Sequence, residues 1–196
     1  MRIAARWVFM TATLIAMAGP VSAAAPTQSI WLFERQAEAL IGTAINEERA
    51  RFAPGTPMLA ADGALNAIAQ QRSEDMAEGL AGFTHVDAQG RHIAEGMIKA
   101  RFGPYGHFGE NILKIDGERS ISAMQFARAA VVGWMNSPSH RANILDGHFD
   151  MSGIGVAVIG DHIYATQVFR GPWKSGPAKN GQVSRNYSPS KSAVER

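Results

Sequence analysis

The segment at residues 134–145 most constrains how this chain can fold, because one helix must end and another begin within a few residues. An apolar helix runs as far as Trp134. Ser137 and Pro138 then restart the chain in a new direction, since proline disrupts a helix interior but is favoured at the first helical position. His140 therefore lies in the first turn of the next helix. A histidine fixed in that way is a candidate ligand or acid–base group.

The first 23 residues have the layout of a secretory signal peptide. Arg2 and Arg6 form a positive start, residues 7–18 are apolar and uncharged, and small residues at 21–23 offer a cleavage position. The apolar run is shorter than the ~20 residues that span a bilayer. We therefore expect cleavage, no transmembrane segment afterwards, and a periplasmic or extracellular product. An uncleaved N-terminal anchor is the alternative.

The composition indicates one cysteine-free domain with a basic tail. The absence of cysteine excludes a disulfide framework and is more typical of an exported bacterial protein than of an animal or plant one. Residues 24–173 carry twelve basic and sixteen acidic groups, whereas residues 174–196 carry five basic groups and one acidic group. An acidic body argues against nucleic-acid binding, which needs a basic face. The tail is poor in large apolar residues and is predicted to be disordered, which leaves residues 30–173 as the folded domain.

Hydrophobic periodicity predicts four helices followed by a hairpin. The helices are expected at residues 29–52, from Asp62 to the glycines at 79 and 82, around 92–102, and from Ser122 to Trp134. The hairpin strands are expected at 153–159 and 162–169, with Gly160-Asp161 as a two-residue turn. Helices that precede a closing hairpin favour an α+β layer arrangement.

The spacing of apolar residues also predicts which helix faces are buried. The first helix turns Ile41 and Ile45 to one side, and its charged residues include Arg49. The last predicted helix begins with a capping box at Ser122 and Gln125. Its apolar side is expected to consist of Met124, Ala127, Val131 and Trp134.

Three short segments carry the candidate chemistry, and they centre on His85, Glu110 and His140. Each follows a glycine, a proline or a turn, so each is expected at the edge of regular structure, where functional residues tend to lie. The two histidines are 55 residues apart, which is not a local metal-binding spacing. Taken singly, either histidine could be structural, and Glu110 could merely fix a loop by accepting backbone hydrogen bonds.

Taken together, the segments resemble the CAP superfamily, the SCP-like extracellular domain of cysteine-rich secretory proteins, venom antigens and plant pathogenesis-related proteins. The resemblance is to the bacterial branch and covers about residues 38–170. It rests on Phe83-Thr84-His85, Gly109-Glu110-Asn111-Ile112, the 134–145 segment and Gly153-Ile154-Gly155-Val156-Ala157. The family implies a three-layer α-β-α sandwich with a central antiparallel sheet.

The resemblance also implies a cleft that holds His85, His140 and Glu110. In the family the two histidines can bind a divalent cation such as zinc, and Glu110 would then orient a ring nitrogen or hold water. Eukaryotic relatives carry a second glutamate just after the tryptophan of the fourth helix. This chain has no acidic residue there, and its Ser137 is expected to cap the following helix. The resemblance gives no role to His107.

Three functions remain open on the sequence. The first is a secreted, non-catalytic binding module whose cleft holds a metal and whose ligand is a lipid, a cell-wall component or a protein. The second is a protease-like hydrolase that uses His140, Glu110 and a serine such as Ser137 or Ser139. The sequence shows no nucleophile elbow or oxyanion site for it. The third is a structural role in which the cleft residues only stabilise loops.

Overall fold

A four-stranded sheet lies between two layers of helices. The computed structural model describes residues 26–104, 106–116 and 121–172, so the predicted signal peptide and the predicted tail lie outside the described residues. The helices are α1 (Pro26–Phe52), α2 (Gly63–Ala77), α3 (Ile93–Phe102), α4 (Ala123–Asn136) and α5 (Pro138–Leu145). The strands are β1 (Ala60–Ala61), β2 (His107–Asp116), β3 (Met151–Ile159) and β4 (His162–Gly171).

The sheet order is β1-β3-β4-β2. The β3–β4 and β4–β2 pairs are antiparallel, and the two-residue β1 adds a short parallel pairing to β3. Helices α1, α4 and α5 contribute to the core on one face of the sheet, and α2 and α3 contribute to the core on the other. The predicted α+β sandwich is therefore confirmed, with β1 as a parallel addition to the antiparallel sheet.

Local capping signals account for where two of the helices begin. Asp62 accepts hydrogen bonds from the backbone N–H groups of Ala64 and Leu65 at the start of α2. Ser122 and Gln125 form the predicted capping box of α4. Both caps satisfy backbone donors that the first turn of a helix leaves unpaired.

The larger core lies between α1, α4, α5 and the sheet. Trp134 is 1% exposed, and its indole Nε1–H donates to the Ile112 carbonyl at 3.1 Å. Phe33 of α1 contacts Phe126 of α4, with ring centroids 5.8 Å apart. The predicted apolar side of α4 is wrong at one position, because Met124 is 54% exposed. In the first turn of α4 the buried residues are Ala123 and Phe126, and Met124 lies on the other side of the helix.

Two glycines allow α2 to lie directly on β3. A Cβ atom at Gly153 would overlap the backbone of Leu65, and one at Gly155 would overlap the backbone of Gln70. Neither glycine has a positive φ, so close approach and not turn geometry is the reason for the missing side chain. Ser73 of α2 completes this contact by donating from its hydroxyl to the Gly155 carbonyl at 2.9 Å.

Side chains of α1 and α2 satisfy the outward N–H groups of β3. Asn66 Oδ1 accepts from the Ile154 N–H at 3.0 Å, and Glu34 Oε1 accepts from the Val158 N–H at 3.0 Å. Between them, the Val156 N–H donates to both Glu38 and Gln70, at 3.1 Å each. These four side chains occupy the three alternate donors that would otherwise be unpaired.

Arg49 is a buried structural hub and not an exposed charge of α1. It is 1% exposed, and its guanidinium donates to the backbone carbonyls of Pro57, Ile144, Asp146 and Phe149. The Pro57 carbonyl accepts from both Nε and Nη2, so all five N–H donors have partners. Burial lowers the pKa of Arg49. The side chain ties the α1–β1 connection to the end of α5 and the loop before β3.

Candidate functional site

Glu110 lies within β2 and not in a loop, so the prediction that it sits at the edge of regular structure is wrong. It follows Gly109 on the strand, and its side chain reaches the α2 side of the sheet, where it meets Arg72. The residue is 6% exposed. A glutamate buried within a strand needs polar partners, and two side chains supply them.

Arg72 and His85 hold the two carboxylate oxygens of Glu110. Arg72 Nε donates to Oε1 at 3.0 Å, and His85 Nδ1 lies 2.7 Å from Oε2. Because a carboxylate only accepts, the hydrogen bond to Oε2 requires the proton to be on Nδ1 of His85. In the neutral ring this leaves the Nε2 lone pair free to bind a cation.

Helix α5 brings His140 to this cluster from the opposite helical layer. The helix begins at Pro138, so His140 lies in its first turn, as predicted. The His140 and His85 ring centroids are 6.1 Å apart, with 54° between the ring planes. The structure thus brings together all three candidate site residues, His85, Glu110 and His140, beside β2, an edge strand of the sheet.

Two asparagines fix α5 against β2. Asn143 Nδ2 donates to the Glu110 carbonyl at 3.2 Å and to Asn111 Oδ1 at 2.9 Å. Asn111 Nδ2 in turn donates to the His140 carbonyl at 3.3 Å. Both amides therefore set the position of the His140 backbone relative to the carboxylate of Glu110.

The electrostatic setting favours a neutral His140. Burial is the main cause that lowers the pKa of its imidazole, and repulsion from His85 lowers the pKa further. Attraction to the carboxylate of Glu110 opposes both effects in part. A neutral imidazole is the form that binds metals.

The serines near His140 do not form a nucleophile arrangement with it. Ser137 Oγ lies 3.5 Å from Ser139 Oγ, and no hydrogen bond joins either hydroxyl to the His140 ring in the described part of the chain. Ser137 occupies the N-cap position of α5, but its side chain makes no capping hydrogen bond, so the expected capping role is wrong in that respect.

Two of the histidines outside this cluster form a separate pair. His107, at the start of β2, packs against His148, with ring centroids 4.5 Å apart. His148 Nδ1 also lies 2.7 Å from Asp146 Oδ1. Within residues 26–104, 106–116 and 121–172, no group of three or more His, Asp or Glu side chains is arranged to hold a metal ion.

Arg72, Asn111 and Asn143 belong to the site, although the sequence patterns gave them no role in it. A signal for Arg72 was present, because it lies on the same helical stripe as Ile68 and Met76, four residues away on either side. A charged residue within an apolar stripe indicates a buried partner. The asparagines had no comparable signal, since their positions in the motifs do not reveal that their amides meet.

The comparisons with known proteins place the chain in a family. It matches the CAP family, described as the cysteine-rich secretory protein family, over residues 43–169. The chain therefore belongs to the CAP family, as the motifs around His85, Glu110 and His140 indicated. No match was found among curated protein sequences.

Solved structures of CAP proteins share the fold. The chain is similar to an extracellular SCP-domain protein from Bacillus anthracis, with 26% identity and a TM-score of 0.56, over 76% of this chain and 45% of that one. This chain thus spans less than half of that protein. It is also similar to an outer surface protein from Borrelia burgdorferi, with 18% identity and a TM-score of 0.56, over 68% of this chain and 91% of that one.

The structure of NaASP2 with Zn2+ matches less well, with 13% identity and a TM-score of 0.43, over 72% of this chain and 78% of that one. A likeness at that level gives no information about a metal in this chain.

Among the described residues, the helices lack the combination of length and apolar character that a membrane span requires.

Proposed function

We propose that this protein is an exported bacterial CAP-domain binding module whose cleft holds one divalent cation between His85 and His140. The observation that carries the proposal is the geometry of the two rings. A zinc ion lies ~2.1 Å from an imidazole nitrogen, so two histidines that share one ion have ring centres about 5–6 Å apart. The observed separation is 6.1 Å, so a small movement of either ring would allow both histidines to bind one ion.

The donor set fits a cation of the zinc type. His85 offers Nε2 because its Nδ1 is held by Glu110, an arrangement typical of metal-binding histidines. Burial lowers the pKa of His140 and so favours the neutral imidazole that can bind a metal. Two protein ligands leave coordination positions for water or for a polar group of a ligand. The ion would supply an attachment point for such a group.

Calorimetry with zinc tests the proposal. The wild-type protein should release or absorb heat with one site per chain, and the His85→Ala/His140→Ala variant should not. The matched control is His107→Ala/His148→Ala, which removes the other adjacent histidine pair and should bind zinc as the wild type does. Equal heats for the wild type and the His85/His140 variant would exclude this site.

Thermal unfolding of the same variants separates binding from a structural role. If the cleft residues only stabilise loops, the His85→Ala/His140→Ala variant should melt several degrees lower in the absence of metal. If they form a ligand site, most of the difference in melting temperature should appear only when zinc is added, because a ligand stabilises the state that binds it.

We further propose that residues 1–23 are a cleaved signal peptide, residues 30–173 the CAP domain and residues 174–196 a solvated basic tail. The similarity to an extracellular SCP-domain protein supports export. The ligand class that we propose is a component of the cell envelope, either a lipid or a cell-wall fragment. Mass spectrometry of the exported protein would locate the cleavage site, and an intact N-terminus would contradict the proposed signal peptide.

A hydrolytic role is not favoured, because no serine pairs with His140 among the described residues.

A further inference from the structure

Arg72 holds both members of the His85–Glu110 pair. Its side chain is 0% exposed. Nε donates to Glu110 Oε1 at 3.0 Å, and Nη2 donates to the carbonyl of Thr84 at 2.8 Å. Thr84 directly precedes His85, so one rigid group fixes the carboxylate and the backbone that carries the histidine. A planar guanidinium keeps its donors in a fixed fork, which makes it suited to such a double contact.

The position of Arg72 also determines how the carboxylate of Glu110 is oriented toward His85. With Oε1 taken by Nε, the carboxylate presents Oε2 to His85 Nδ1 at 2.7 Å. That hydrogen bond places the proton on Nδ1, so the neutral ring keeps a free lone pair on Nε2. The His85 side chain is 36% exposed, so packing alone leaves it room to rotate. The hydrogen bond to Glu110 therefore fixes the ring orientation.

The energetic cost of burying Arg72 supports a role in positioning. Both partners of the Arg72–Glu110 salt bridge are almost fully buried, with side-chain exposures of 0% and 2%. A buried ion pair is weak evidence for stability, because desolvation offsets much of the attraction, and apolar residues of similar volume often serve as well. What the pair provides, and an apolar pair would not, is an oriented acceptor for His85.

We infer that Arg72 is a positioning residue of the cation site: it orients Glu110 and the His85 backbone so that His85 presents Nε2 toward His140. This inference rests on the proposed cation-binding function. Arg72 donates to both Glu110 and the segment that carries His85, so a single side chain links the two. Loss of Arg72 should therefore disturb the ring orientation and weaken the cation site without touching either histidine.

The first test measures zinc affinity by calorimetry in the wild type and in the Arg72→Met and Arg72→Lys variants. Arg72→Met should weaken binding by about 10- to 100-fold, the range typical of losing a group that orients a metal ligand. Arg72→Lys should weaken binding less, because an ammonium can pair with Glu110 but lacks the guanidinium fork that also holds Thr84. The matched control is Arg101→Met, the same change at an exposed site on α3. Unchanged zinc affinity in both Arg72 variants would overturn the inference.

The second test needs no metal. Nitrogen-15 NMR of the imidazole groups distinguishes a proton on Nδ1 from a proton on Nε2. The wild type should show His85 protonated on Nδ1, Arg72→Met should show a mixture, and Arg72→Lys should lie between them. An unchanged His85 signal in Arg72→Met would overturn the inference. If Arg72→Met does not fold, an Arg72→Lys protein with the wild-type signal and the wild-type zinc affinity would overturn it instead.

The two tests separate this inference from the proposed function. If the wild type binds no zinc, the proposed function fails, and the NMR signal of His85 alone decides whether Arg72 is a positioning residue. If the wild type binds zinc and Arg72→Met binds it equally well, the cation site stands and the role of Arg72 fails.

Discussion

Glu38 should make the stability of this protein depend on pH near neutrality. Its side chain is only 12% exposed, and its carboxylate accepts from the Val156 N–H in β3. Burial is the main cause that raises its pKa to about 7, and the neighbouring carboxylates of Glu34 and Glu74 add to the rise. The positive charge of Arg35, 2.6 Å away, and the hydrogen bond from Val156 oppose it.

The direction and size of the effect follow from proton linkage. The folded-state pKa lies above the ordinary value of 4.5, so Glu38 binds its proton more tightly in the folded chain. The contribution of Glu38 to the free energy of unfolding is therefore fully present below pH 4.5 and is lost as the pH rises through about 7. A tenfold difference in proton affinity is worth about 1.4 kcal/mol, so the upper limit is about 3 kcal/mol. Because Arg35 is 37% exposed and water screens the site, we expect about 1–2 kcal/mol.

Urea unfolding at a series of pH values, followed by tryptophan fluorescence, measures this effect. The free energy of unfolding of the wild type should fall relative to that of Glu38→Gln between about pH 5 and about pH 8. Glu47→Gln removes a carboxylate from the exposed side of the same helix and controls for net charge. If the wild-type and Glu38→Gln curves run parallel over this range, the reasoning about Glu38 is refuted.

Two further predictions concern the fold. Arg49→Lys leaves at least two of the five hydrogen bonds of Arg49 unmade and should lower the free energy of unfolding by about 3 kcal/mol. The control Arg128→Lys, on the exposed face of α4, should change it little. Equal denaturation midpoints for the two variants would contradict the structural role of Arg49. Gly155→Ala should cost about 3 kcal/mol, because the new methyl group must push α2 off the sheet. The control Gly96→Ala lies in a helix with open space around it and should instead stabilise the protein by roughly 0.5–1 kcal/mol. A Gly155→Ala protein as stable as the wild type would show that α2 and β3 are not in close contact.

Features of the fold that depend on neighbouring residues could be predicted from the sequence. The capping box at Ser122 and Gln125 is a local hydrogen-bond pattern, and the hairpin turn at Gly160-Asp161 is a local backbone preference. Strand β2 could not be recognised in this way. Its residues from Gly109 to Ile112 are all buried, and they include a glutamate and an asparagine, so the strand shows no alternation of polar and apolar positions.

Long-range partners explain the remaining differences. Arg49 has the sequence context of a solvated helix charge. Its burial depends on the nearby Pro57 carbonyl and on carbonyl groups about 100 residues away, at Ile144 and Phe149. The meeting of His85, Glu110 and His140 was expected from the family resemblance and not from spacing. The contribution of Arg72 depends on the Thr84 carbonyl, whose direction is set by the loop and is not encoded in any motif.

The side chains along β3 have a consequence for how this protein can meet other chains. A strand with free outward N–H groups can pair with a strand from another molecule, which leads to strand addition or aggregation. Here Asn66, Gln70, Glu38 and Glu34 already occupy those groups from Ile154 to Val158. A strand from another molecule therefore cannot extend the sheet along this part of β3. A partner that binds there must contact side chains instead of backbone groups.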